Sequence, residues 1–388
     1  MCLNGNTIEL FMIKKERLSP LLKYPGGKES ELKYILPALP EKADRFLEPF
    51  LGGGAVYFAV EANTMLINDY SEELINLYEK VAESDKIFHN HLADIIHNWS
   101  LLGAFPQKHD KEIIEIYRKF SADQLTEQAL NDWVIAFLIR HAAELNGMLN
   151  DKLNTNINNF LHELNKNVSS KLRRMKKIEQ DKGFLPDNDI IDNFESSLKS
   201  GFYMHLRHLY NHIAKYKFTQ SFIAALYFFI RNYCYSSMFR YNKGGSFNVP
   251  YGGIGYNRKS LSKKLEYFKD EALLNHLSKT KMYRQDFEEF LRDHKPEEND
   301  FIFLDPPYDS EFSTYAQNSF TKSDQKRLAS YLIDECRAKW MLVIKNTEFI
   351  YDLYNKPNIK MNAFEKTYLV SFMNRNDRNV DHLLVTNY

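Results

Sequence analysis

The clearest chemistry in this chain sits in four residues, Asp305-Pro306-Pro307-Tyr308, directly after the apolar run Phe301 to Leu304. Asp305 offers a carboxylate, and the carbonyl of Pro306 is held rigidly by the proline pair. Two fixed acceptors suit an exocyclic nucleobase amine. Its lone pair is delocalised into the ring, so it stays a poor nucleophile until it is drawn towards tetrahedral geometry. Such a nitrogen can then attack a methyl group in line, with positioning supplying most of the acceleration. Tyr308 offers a ring face for the base. Stacking worth about 1–3 kcal/mol offsets most of the cost of extruding a base from a duplex. The same tetrapeptide also suits a plain proline turn that closes a buried strand.

A methyl donor needs its own seat, and a second segment suits one. Glu48-Pro49-Phe50-Leu51-Gly52-Gly53-Gly54-Ala55 lies where the short run Arg45 to Leu47 breaks into a glycine turn. Glycines there let the backbone approach a ligand and adopt positive φ. The pattern is neither G-x-G-x-x-G nor a phosphate loop ending in Gly-Lys-Ser/Thr, which argues against a dinucleotide or nucleoside triphosphate. Asp69 ends the next apolar run, Met65 to Ile67, where a carboxylate can accept hydrogen bonds from both hydroxyls of a ribose. A tight turn with a capping aspartate has the same look. Upstream, Lys23-Tyr24-Pro25-Gly26-Gly27-Lys28 suits either an exposed β-turn or a loop that brings Lys28 to the carboxylate of a methionine-like ligand.

Elements that would position these residues follow from the pattern. Residues 44–70 predict one β-α-β unit, with a helix over Ala55 to Glu61. Residues 72–230 predict mostly helix, with Leu74, Leu77, Tyr78 and Val81 at helical spacing. Gly183 to Asp192 reads as a polar loop, and residues 235–258, with their glycine pairs and Pro250, as a hairpin with long loops. Phe301 to Leu304, Met341 to Ile344 and His382 to Val385 read as strands. Strands at both ends of the chain predict one α/β domain interrupted by a helical insertion.

Bulk properties bound the function only loosely. The 388 residues suggest two or three units at roughly 100–200 residues each. Formal net charge is +0, so any surface for nucleic-acid phosphates must arise from local segregation of charge. Aromatic residues make up 14%, which suits either stacking on flat ligands or an aromatic core. Cys2, Cys234 and Cys336 are too few and too far apart for a disulfide framework, which fits a reducing cytoplasm. No signal peptide or membrane span is expected.

The three segments in this order resemble the Dam-like (alpha-group, D12 class) DNA adenine-N6 methyltransferases. The match is Tyr24-Pro25-Gly26-Gly27-Lys28, then Glu48-Pro49-Phe50 with its glycines, then Asp305-Pro306-Pro307-Tyr308. Arg240-Tyr241-Asn242, followed by Gly245 to Gly252, is similar to the family's DNA-reading hairpin, and His382 to Tyr388 to its terminal strand. The resemblance covers residues 18–85 and 200–388 and implies an α/β fold. That fold is a Rossmann-like sheet dependent on S-adenosylmethionine (AdoMet), with an inserted, mostly helical target-recognition domain. The catalytic domain is expected at 1–85 and 280–388, and the insertion, with a β-hairpin at 235–258, at 86–279. The stretch between Asp69 and Arg231 is longer than in typical members.

Site roles carried over from the family are as follows. Tyr24, Gly27, Lys28, Glu48, Phe50, Gly52, Gly53, Gly54, Asp69, Asp286 and Phe287 would form the AdoMet site, and Asp305, Pro306 and Tyr308 would hold the flipped adenine. Tyr235, Ser236, Met238, Arg240, Asn242, Pro250 and Lys259 would meet double-stranded DNA, with Tyr235 entering the duplex and Arg240 reading a guanine. A fork onto guanine is worth roughly 1–3 kcal/mol of discrimination. GATC ranks first as target, although Ser236, Met238 and Gly253 depart from the family's namesake. The resemblance fits either a solitary methyltransferase or half of a restriction–modification pair, the second with a cognate restriction endonuclease as a separate partner. Cytosine-N4 methylation and an inactive DNA-binding regulator are the alternatives, and no nuclease core is visible in the insertion.

Two weaker features remain. His205, His208 and His212 share a helix face, but a solvated or phosphate-contacting face is the expected reading, and no metal site is expected. Lys171, Arg173, Arg174, Lys176 and Lys177 suit either a DNA backbone or a solvated helix, and Lys259, Lys263 and Lys264 suit phosphate contact.

Overall fold

The computed structural model describes residues 12–24, 26–147, 152–238, 240–307, 320–367 and 379–388. Tyr308, Pro25 and Cys2 therefore lie outside the described residues. Internal contacts divide the chain into two units, Met1–Glu83 with Phe268–Tyr388, and Ser84–Tyr267. The first unit extends to Phe268, beyond the expected seam at 280, because the Glu271–Ser278 helix packs on the Glu72–Ala82 helix.

The first unit is built on a seven-stranded sheet. Its strands are β1 (Arg45–Glu48), β2 (Thr64–Asn68), β3 (Thr280–Tyr283), β4 (Phe301–Leu304), β5 (Lys339–Lys345), β6 (Lys360–Thr367) and β7 (Asn379–Thr386). Their order across the sheet is β3-β2-β1-β4-β5-β7-β6. The first five are mutually parallel, and β7 runs antiparallel between β5 and β6. All four residues of β4 are buried, as are the five inner residues of β5, the pattern of parallel strands covered on both faces. From β1 the chain winds outward one way through β2 and β3 and the other way through β4 and β5. The carboxyl ends of β1 and β4 therefore flank a topological switch point, where open α/β sheets bind their ligands.

The connection between β1 and β2 corrects one expectation. Ala55 to Glu61 holds only a single 3-10 turn, Tyr57–Ala59, and Val60 is extended and bridges Ile13. Residues 55–60 are all buried, so their apolar run reflects burial on every side rather than one helical face.

The second unit is helical. Its long helices include Lys86–Lys108, Asp110–Ser121, Glu127–Arg140, Ile157–Lys182, Asp187–Asn211 and Gln220–Tyr233. The expected loop at Gly183 to Asp192 is shorter, because the last of the two longest helices starts at Asp187 behind Pro186, with Asp187 and Asp189 in its first turn. Gly201 lets that helix approach its neighbour. A Cβ there would lie 2.9 Å from the Cα of Leu164. Among its described residues, the expected hairpin at 235–258 contains no regular strands. It is held by two isolated bridges, Cys234 with Tyr251 and Tyr241 with Phe247. Among the described residues, no helix is long and apolar enough to cross a membrane.

Candidate active site

Because β1, β2, β3 and β4 are parallel, the residues that follow them emerge at one edge of the sheet. Glu48 ends β1, Asn68 ends β2 and Asp305 follows β4. The glycine turn after β1 is tied to β2 by two hydrogen bonds. Leu51 N donates to Asn68 O at 2.9 Å, and Gly52 N donates to Asp69 Oδ2 at 2.9 Å. Gly52 has φ 49°, and a Cβ on it would lie 3.4 Å from the ring of Tyr24. Any side chain there would be strained and crowded. Gly53 O accepts from the hydroxyl of Tyr78 at 3.3 Å.

Asp69 is committed on both oxygens to backbone amides, with Ser71 N donating to Oδ1 at 2.9 Å and Gly52 N to Oδ2. Burial raises the pKa of its carboxyl, and the two amides partly counter this. The expected ribose-binding aspartate is thus also the clamp of the glycine turn.

Lys28 is buried, and its ammonium donates to Asp305 Oδ1 at 2.5 Å and to Gly26 O at 3.2 Å. The sequence left Lys28 open between an exposed turn and a ligand carboxylate; the structure buries it against Asp305. Glu48 is 2% exposed, and its Oε2 is buried without a hydrogen-bond partner. Burial pushes its carboxyl well above the usual carboxylate range, and the charges of Asp305 and Asp69 add to this while the Tyr57 amide and Lys28 oppose it. The site therefore gathers three carboxyls and one ammonium.

Its apolar side is a trio of rings. Phe50 lies 5.4 Å from Phe287 and 5.5 Å, edge-on, from Phe320, and Phe287 lies 5.6 Å from Phe320. Asp286 caps the Phe287–His294 helix by accepting from Glu288 N at 3.0 Å, and its Oδ1 also accepts from Arg327 at 2.6 Å. The guanidinium of Arg327 sits 4.9 Å from the ring centroid of Phe287.

Three residues were missed by the sequence reading. Asn68, 1% exposed, donates to Pro49 O at 3.0 Å and Gln285 O at 3.1 Å and accepts from Gln285 N at 2.8 Å. It thereby stitches the loops after β1 and β3 to β2. Gln325, fully buried, donates to Pro307 O at 3.0 Å and so braces the proline pair. Phe320 completes the ring trio. None of these had a sequence signal beyond lying near a motif.

The expected DNA-reading residues lie in the helical unit. Tyr235 is 50% exposed, and its N donates to Pro250 O at 2.8 Å. Ser236 and Ser237 beside it have φ 53° and 52°, a strained pair of left-handed conformations. Buried Arg231 donates to the carbonyls of Ser237 and Met238 at 3.4 and 3.3 Å and holds this turn. Exposed Arg240 is oriented by its Nε, which donates to Asn248 Oδ1 at 2.9 Å. Asn242 Oδ1 accepts from Gly244 N and Ser246 N at the tip, and Pro250 is exposed. Tyr203, Arg207 and Asn211, four residues apart on one helix face, donate to Val249 O, Val249 O and Phe247 O at 2.9, 3.0 and 3.0 Å. Lys259 differs from expectation. Its ammonium donates to Asn232 O and sits 5.3 Å from the ring centroids of Tyr233 and Tyr256, so it braces the loop from within.

The histidine trio does not converge on one point. His205 Nε2 bonds Leu153 O at 2.9 Å and its Nδ1 bonds Asn159, while His208 bonds Tyr216 and His212 bonds His208 O. Of the basic cluster, Arg173 pairs with Asn131 and Glu127 and Lys176 with Phe120 O and Asp123, while Arg174 and Lys177 are exposed.

The comparisons agree with this architecture. A family model for D12 class N6 adenine-specific DNA methyltransferases matches residues 24–183 and 157–371. The chain is 24% identical over 377 residues to the type II methyltransferase M.CviBI of Paramecium bursaria Chlorella virus NC1A, covering 96% of this chain and 100% of the relative. An alignment of that extent takes in the helical insertion. It is 22% identical over 388 residues to the type II methyltransferase M1.LlaDCHI of Lactococcus lactis subsp. cremoris, covering 98% and 99%. It is 24% identical over 343 residues to the Retron Ec67 DNA adenine methylase of Escherichia coli, covering 87% and 81%. With the motif residues gathered at one edge of the sheet and matches over most of the chain, the protein belongs to the D12 class N6 adenine-specific DNA methyltransferases, a family whose methyl donor is AdoMet.

Proposed function

We propose that this chain methylates N6 of an adenine flipped out of duplex DNA at a guanine-containing site, with GATC the first candidate. The observation that carries the reading is the meeting of Glu48, Lys28 and Asp305, three residues far apart in sequence, in one electrostatic cluster beside the glycine turn.

The residues fit AdoMet on two counts. Glu48 Oε2 is a buried acceptor without a partner, suited to the ammonium of a methionine moiety. The turn at Gly52 excludes side chains, as a backbone close to a ligand must. Asp69 and the Phe50–Phe287 ring pair would hold the ribose and adenine, with Asp286 at the adenine edge. Bound there, AdoMet supplies an electrophilic methyl on a sulfonium. Asp305 and the Pro306 carbonyl accept the hydrogens of the target amine and raise the nitrogen's nucleophilicity. Lys28 orients Asp305, while Gln325 keeps the proline pair from turning away. Tyr308 would stack on the flipped base. Tyr235, exposed on a strained turn, suits insertion into the gap left in the duplex, with Ser236, Met238, Asn242 and Pro250 beside it. The type II names of two relatives favour a restriction–modification setting, and the DNA adenine methylase names of others fit a solitary one.

Purified protein with labelled AdoMet should place label on adenine N6 of plasmid DNA; label on cytosine N4 would overturn the substrate. Asp305→Asn, which keeps a partner for Lys28, should lower transfer by about 10²–10³ or more while AdoMet binding persists. Parallel loss of binding would reassign Asp305 to the cofactor.

A further inference from the structure

The helical unit carries a cluster of ligand-type side chains that methyl transfer does not use. The Lys86–Lys108 and Asp110–Ser121 helices meet at His109, which caps the end of one and the start of the other. The Glu127–Arg140 helix ends at His141, one residue before the Ala142–Gly147 helix. The two imidazole rings lie 4.1 Å apart between centroids, packed against Phe105 and Phe137. His109 Nε2 is 3.3 Å from Glu144 Oε2, and His141 Nε2 is 4.0 Å from Glu112 Oε2. One ligand atom from each of His109, His141 and Glu144 lies within 4.8 Å of the other two.

We propose that His109, His141 and Glu144 form a zinc site, with Glu112 or water as fourth ligand, that ties the two helix junctions together. Imidazole nitrogen and carboxylate oxygen are zinc's ordinary ligands, and bonds of about 2.0–2.2 Å would set them roughly 3.4 Å apart in a tetrahedron. The His109–Glu144 separation of 3.3 Å matches this, and the remaining separations, within 4.8 Å, would close as an ion binds. His141 Nε2 is buried with no hydrogen-bond partner, an atom awaiting a ligand bond. The carboxylates are also pre-oriented. Glu144 Oε1 accepts from Lys108 at 2.9 Å and Glu112 Oε1 from Arg140 at 2.7 Å, which turns each Oε2 to its histidine. A bare pair of histidine–glutamate contacts is the competing account. The site does not depend on the methyltransferase chemistry.

The test uses the full chain, stripped with chelator and titrated with Zn²⁺ by calorimetry, with Co²⁺ as optical probe. One equivalent of Zn²⁺ should bind and raise the thermal midpoint, and Co²⁺ should give the intense visible bands of a tetrahedral ion. His141→Ala should weaken binding at least about 100-fold, while His97→Ala, at an exposed histidine, should leave it unchanged. Should His141→Ala fail to fold by circular dichroism, Glu144→Gln takes its place, with the same loss expected. Zn²⁺ binding that survives these changes, no binding by the unaltered chain, or the weak spectrum of octahedral Co²⁺ would each overturn the site.

Discussion

Glu48 is the residue on which the electrostatics of the active site turn. Its carboxyl is buried beside Asp305 and Asp69, and its pKa is raised accordingly. A carboxyl whose folded pKa exceeds its unfolded value favours folding while protonated, and that contribution is lost as pH rises through the folded pKa. At neutral pH, Glu48→Gln should therefore raise the melting temperature of the ligand-free protein. The same change should weaken AdoMet, because a cationic donor gains from the ionised form. Thermal shift with and without AdoMet reads both effects, and a variant that gains stability yet binds AdoMet normally would remove Glu48 from the cofactor site. Glu48 stood out in the sequence only as part of a motif, since the two charges that raise its pKa beside burial come from residues 69 and 305. Asn68 and Gln325 were not legible at all. A buried amide looks like any surface amide until its partners, from 18 to 217 positions away, are known.

Elements that pack locally were easier to read than those defined by distant pairing. β4 spans the apolar run Phe301 to Leu304, because a fully buried parallel strand needs little beyond apolar residues ended by a breaker. β3, with its partly polar run Thr280–Tyr283, was invisible, since it is a strand only by pairing with β2. The segment proposed to read DNA is an element of the same kind. Its shape is set by Tyr203, Arg207 and Asn211 on one helix rather than by a strand ladder. Arg240→Ala should lower discrimination at one guanine by roughly 1–3 kcal/mol, as methylation of a panel of single-base variants would show. A uniform loss over all sequences would make Arg240 a phosphate contact. Gly201→Val should destabilise the helix pair by about 1–3 kcal/mol, because its branches would enter the backbone of Leu164. A chemical-denaturation midpoint unchanged from that of the natural chain would contradict this.

At the scale of the whole molecule, the two units share an acid sensitivity. Burial holds His205 of the helical unit down to about 4 and His276 of the sheet unit down to about 3. A histidine kept neutral by burial contributes stability that is present above its unfolded pKa, near 6.5, and is lost as pH falls towards the folded value. For His205 the gap corresponds to roughly 3 kcal/mol. Denaturation followed between pH 7 and pH 4 should show stability falling, and His205→Asn, uncharged at every pH, should flatten that fall. An equally steep fall in the variant would place the sensitivity elsewhere.

What the sequence determined by itself were the local signatures: the proline pair after a buried strand, the glycine turn after another, and the helical character of the long middle stretch. These follow from steric rules and periodicities that act over a few residues. Tertiary structure alone decided that Lys28 pairs with Asp305 rather than standing apart from it, that Lys259 turns inward, and that His109 and His141 meet beside Glu144, whereas the regularly spaced His205, His208 and His212 each bond a different partner. In each case the deciding contact joins residues that only the folded chain brings together. Burial, charge and hydrogen-bond satisfaction act on distance in space, and sequence spacing does not encode that distance.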